Sequence, residues 1–68
     1  MTLEFRDVKE NYIKQWHNWE SEVPQAGDIV ILHFGDYNEE AVEYVVVKRV
    51  ISGTHSNKVI IVVNLIKD

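Results

Sequence analysis

Three apolar runs dominate the second half of the chain: Asp28–Phe34, Val42–Ile51 and Val59–Ile66, separated by two polar stretches. Alternate positions of a strand share a face. One face then holds Val30, Leu32 and Phe34, next Val42, Tyr44, Val46 and Val50, next Val59, Ile61, Val63 and Leu65, broken only by Lys48. Gly, Asp, Asn and Ser concentrate in residues 35–40 and 52–57, as turns require. The pattern predicts an antiparallel three-stranded meander with strands near 28–34, 42–51 and 59–66.

The first segment shows a different period. Phe5, Val8, Tyr12, Trp16 and Trp19 are spaced 3, 4, 4 and 3 apart. At about 100° per residue they fall on one stripe of a helix. Asp7 followed by Glu10 resembles a capping box, and Arg6–Glu10 and Glu10–Lys14 stand at i,i+4. Pro24 and Gly27 end any helical reading. The expectation is one α+β domain over residues 1–68, with an N-terminal amphipathic helix near 7–20 packed on the three-stranded antiparallel β-meander. Residues 3–5 are left open to a short edge strand.

The second sheet face changes that picture. It carries Ile29, Ile31, Val45, Val47, Ile51, Ile60, Val62 and Ile66, dotted with His33, Glu43, Arg49 and Asn64. A bare patch of that size exceeds what soluble monomers tolerate. Either the strands curl into a small barrel, or this face meets another protein. Pro24, Gly27, Asp28 and Val30 form a P-x-x-G-D-x-V stretch that resembles the opening of many SH3-like small barrels. That resemblance implies a turn into a first barrel strand. The basic loops of RNA-binding small barrels and the aromatic-rich groove of true SH3 domains are missing.

Size and charge narrow the classes. Sixty-eight residues lie near the lower limit for folding alone, and the absence of cysteine excludes disulfides and thiolate metal sites. No apolar run reaches the ~20 residues of a membrane span, and the N-terminus lacks a secretion signal, so a cytoplasmic address is expected. A formal charge of −4 weighs against nucleic acid and anionic membrane as partners.

Candidate chemistry is sparse. His17 and Glu20 stand at i,i+3, but a metal site needs three or four converging ligands. His33 reads as a strand-end or interface residue. His55 beside Ser56 lacks an orienting third group, and the 52–58 turn with Lys58 reads as a polar hairpin loop before an anion cradle. Trp16 and Trp19 read as core, with room for one interface anchor. Asp36, Tyr37, Glu39 and Glu40 form an acidic, aromatic-bearing loop suited to a basic partner. The expectation is therefore a non-catalytic protein-interaction module with no cofactor, metal or small-molecule substrate. Its simplest form is a homodimer, and a small acidic inhibitor or antidote of phage or bacterial origin fits as well. The contact residues would be Asp36, Tyr37, Glu39 and Glu40, with Ile31, His33, Val45 and Val47 of the second face. The alternative is a small-barrel nucleic-acid adaptor using Lys48, Arg49, Lys58 and Lys67. A small enzyme ranks last.

Overall fold

A computed structural model of the chain describes residues 1–51 and 57–66. Among the described residues five strands form one sheet: β1 (Thr2–Asp7), β2 (Tyr12–Trp16), β3 (Ile29–Phe34), β4 (Glu40–Ile51) and β5 (Lys58–Leu65). Their order across the sheet is β2-β1-β5-β4-β3. All neighbours are antiparallel except β1 and β5, which run parallel. The sheet curls into a half-barrel.

This corrects the expected N-terminal helix. Among the described residues there is no helix, and residues 2–16 form a β-hairpin. The deciding residue is Asp7. Its carboxylate accepts from the amides of Lys9 and Asn11 at 2.8 and 2.9 Å and from the Asn11 side chain at 3.1 Å. That closes a turn instead of capping a helix, because an Asp side chain offers the backbone a local alternative to helical bonding. Glu10 takes a left-handed φ of 68° within this turn. The pairs Arg6–Glu10 and Glu10–Lys14 do not form, and Arg6 turns to Glu4 on its own strand instead.

The alternation Leu3-Glu4-Phe5-Arg6 explains where β1 goes. Leu3 and Phe5 enter the core, almost fully buried, while Glu4 and Arg6 take the other face. Residues 3–5 are thus strand, but inside the sheet, between β2 and β5, and not at its edge. The core itself comprises Leu3, Phe5, Leu32, Val46, Val59, Ile61 and Val63 on the concave face. Ile13, Trp19, Val23, Val30, Phe34 and Tyr44 pack against it.

Two register shifts set the curl. One falls between Phe5 and Arg6 against β2, leaving Ile13 as the extra residue. The other falls between Val46 and Lys48, leaving Val47 unpaired opposite Val62 and Val63. A bulge bends its strand and increases the local twist. It also exchanges faces: beyond Val47, Arg49 and Ile51 pair with core-facing Ile61 and Val59, while Lys48 and Val50 pair with Val62 and Ile60 outside. The inner-face position expected for Lys48 is thereby taken by Arg49, which is exposed. Val50 and Leu65, expected inside, are 41% and 46% exposed.

Candidate functional site

The curl does not close. No Cα of β2 comes within 8 Å of a Cα of β3, so these two edge strands face each other across an open seam. Strands that hydrogen-bond lie ≈ 4.8 Å apart. The seam is therefore too wide for backbone pairing.

Each wall of the seam is built by alternation. The Val46 amide donates to the Asp28 carbonyl at 2.8 Å, which fixes the phase of the β3–β4 ladder. Antiparallel alternation then directs the backbone of Val30, Leu32 and Phe34 toward β4, and that of Ile29, Ile31 and His33 toward the open edge. The Lys14 ammonium, reaching across from β2, donates to the His33 carbonyl. The same ammonium sits 5.4 Å from the centroid of the Phe34 ring. Lys14 is the side chain that spans the gap.

Between the walls lies an apolar pocket of about 220 Å³, lined by Phe5, Lys14, Trp16, Trp19, Val30 and Leu32, with Ile31 and His33 at its β3 rim. Trp16 and Trp19 meet edge-to-face with centroids 6.0 Å apart. Trp19 is fixed further by its backbone amide on the Met1 carbonyl (2.7 Å) and its indole N–H on the Glu22 carbonyl (3.1 Å). Trp16 remains 50% exposed. The volume is below the roughly 300–1,000 Å³ of sites for drug-sized ligands. It holds one or two side chains.

The expected contact residues divide between two places. Ile31 and His33, both exposed along the seam's β3 wall, share the convex face with Val45, which lies opposite Ile29, and Val47 sits at the bulge. Asp36, Tyr37 and Glu39 occupy the β3–β4 connection at the end of that wall, and Glu40 opens β4 opposite Phe34. Glu39 folds back so that its carboxylate accepts from the Tyr37 amide at 2.9 Å, while the Tyr37 side chain is 90% exposed. His17 lies elsewhere, its Nδ1 3.4 Å from the Thr2 hydroxyl. Among the described residues no three His, Asp or Glu side chains converge as metal ligands. His55 and most of the 52–58 turn lie outside the described residues.

The convex face carries a charge cluster that the helical reading concealed. Glu4 is 4% exposed, and its carboxylate pairs with Lys58 at 2.8 Å and with the Arg6 guanidinium. The Lys58 hydrogen bond, assisted by Arg6, holds the Glu4 carboxyl below its ordinary range against the opposing effect of burial. Lys58 is thus committed to Glu4. Lys48 and Arg49, adjacent in a strand, take opposite faces, and Lys67 lies outside the described residues. The strip expected of a nucleic-acid adaptor is divided.

The chain matches no protein-family model, no curated protein and no solved structure. Among the described residues no helix is long and apolar enough to cross a membrane.

Proposed function

We propose that this chain is a non-catalytic interaction module that binds another protein through the open seam between β2 and β3. The observation that supports this is the coincidence of a free β3 edge with an apolar pocket beneath it. A free edge is a template for an additional strand. Side chains of alternate residues in that strand would reach the pocket, and its backbone would supply the partners that Ile29, Ile31 and His33 lack within the sheet. The exposed Trp16 at the rim is the residue type that most often anchors such contacts.

A randomised peptide display selection, followed by amide chemical-shift mapping of the selected binders, tests the reading. Binders that shift Ile29, Ile31, His33 and the Trp19 indole support it. Binders that shift only the convex face sink it. So does a single-stranded oligonucleotide that shifts Lys48, Arg49 and Lys58 with steep salt dependence while no peptide binds, since that outcome restores the adaptor.

A further inference from the structure

Resting on that reading, we infer that the occupant of the seam is an extended peptide strand with an apolar centre and basic ends, contributed by a different protein and not by a second copy of this chain. The charge around β3 carries the inference. Its six residues Ile29–Phe34 are apolar except for His33. Acids bracket them: Glu22 and Asp28 border the depression beside Ile29, and Asp36, Glu39 and Glu40 follow Phe34. Lys14 stands between, at the middle of the seam. Glu43, exposed opposite Ile31, lies on the convex face, so on the pocket-facing side of an added strand a cationic side chain is disfavoured at the centre, and it is favoured at both ends. Because both ends of β3 are acidic, this holds whichever way the strand runs.

The same bracket argues against self-pairing. Two β3 strands joined antiparallel about Leu32 would set Asp28 of one copy opposite Asp36 of the other; joined in parallel, the two Asp28 side chains would come together. Like charges directly opposite destabilise a strand pair. The strand directions also define how a single guest would sit. β2 and β3 run in opposite directions on either side of the seam, so one inserted strand would be antiparallel to one wall and parallel to the other, closing the half-barrel.

Two synthetic peptides, each of alternating valine and threonine, flanked by lysines in one and by glutamates in the other, provide the test. The probes are titrated into the full chain with amide shifts and Trp fluorescence recorded. The lysine-flanked peptide is expected to shift Ile29, Ile31 and His33 and to bind about tenfold or more tighter than the glutamate-flanked one, with affinity falling as salt rises. The double variant Asp36→Asn, Glu40→Gln should reduce that preference several-fold while leaving the fold's amide spectrum in place. Equal binding of both peptides at β3 overturns the charge inference and leaves the seam reading standing. Failure of both peptides, with display-selected binders still mapping to the seam, overturns the strand composition alone. Concentration-dependent dimers in light scattering, with Ile29, Ile31 and His33 amides protected from exchange, overturn the choice of a foreign partner.

Discussion

Across β1, β5 and β4 every strand has a hydrogen-bonded neighbour on both sides, whereas β2 and β3 each have one. The inner strands hold the fully buried Leu3, Phe5, Ile61, Val46 and Val63; the seam holds half-exposed Trp16 and Ile31. Residue types on the two sides are alike, so β-propensity does not distinguish them. Closure does. Beneath the closed sheet an aliphatic residue contributes to stability, as Leu32 does on the inner side of β3; at the open seam the same kind of residue, Ile31, is left available to a partner.

Removing an inner side chain should break this contrast most severely. Phe5→Ala deletes a nearly completely buried ring and is expected to cost about 3–5 kcal/mol. A domain of this size has little more than that in total, so urea titration by circular dichroism should show no cooperative transition. Trp16→Ala at the seam should cost about 1 kcal/mol and leave a normal transition. Comparable losses at both positions would mean that the seam is part of the structural core.

The next effect concerns the convex face of the closed side. Glu4→Gln leaves Lys58 and Arg6 without their carboxylate. Loss of a partner from a buried pair costs about 3–5 kcal/mol, but both cations are about one-third exposed and rehydrate. We expect about 1–2 kcal/mol. The pH dependence has a definite sign. Glu4 and Asp7 are both held below their ordinary values, 4.5 and 3.8, Glu4 chiefly by Lys58 and Asp7 chiefly by the Asn11 amide. Their contributions are complete above those values and are lost as pH falls through the lowered ones. The urea midpoint should drop on acidification from pH 4.5 downward, and Glu4→Gln should flatten that drop. An unchanged profile in the variant would assign the acid sensitivity to Asp7.

Much of the closed side was legible from the alternation in residues 29–65. The inner set Leu32, Val46, Val59, Ile61 and Val63 follows directly from a period of two. Two bulges hid the rest. Ile13 breaks the alternation of β2, so that Tyr12 and Trp16 fell at helical spacing with Phe5 by coincidence. Val47 reverses the faces of β4, which moved Val50 outward and Arg49 inward. A single inserted residue leaves composition unchanged and shifts every later side chain. The signal against the helix was present in Leu3-Glu4-Phe5-Arg6, whose alternation also contains the Glu4–Arg6 pair. Of the seam, Ile31 and His33 were legible as exposed strand residues; Lys14 was not, because its role depends on β2 facing β3 across the curl.

The acidic loop offers a smaller perturbation on the open side. Gly35 has φ +94°, and a Cβ there would lie 2.6 Å from the Glu39 carboxylate. That carboxylate ends a flexible side chain and can move, so the backbone conformation sets most of the cost of Gly35→Ala, about 1–2 kcal/mol. Loss of the Glu39 contact should also release the Tyr37 amide, measurable as faster hydrogen exchange at Tyr37. Unchanged exchange would show that the loop holds its shape without Glu39.

The mildest change in stability should accompany an informative change in binding. Lys14 donates to the His33 carbonyl, an acceptor that an added strand would use, and lies over Phe34. Lysine at a sheet edge is a recognised guard against unwanted pairing. Lys14→Ala removes one exposed hydrogen bond and one cation–π contact, together worth about 1 kcal/mol or less. It also unblocks the carbonyl and the pocket mouth and removes a like charge from the path of a lysine-flanked peptide. The expected result is a nearly unchanged urea midpoint with peptide affinity raised about three- to tenfold. A fall in affinity would mean that Lys14 holds the guest strand and does not guard against it, and the seam would then be a site that keeps its cation in use when filled.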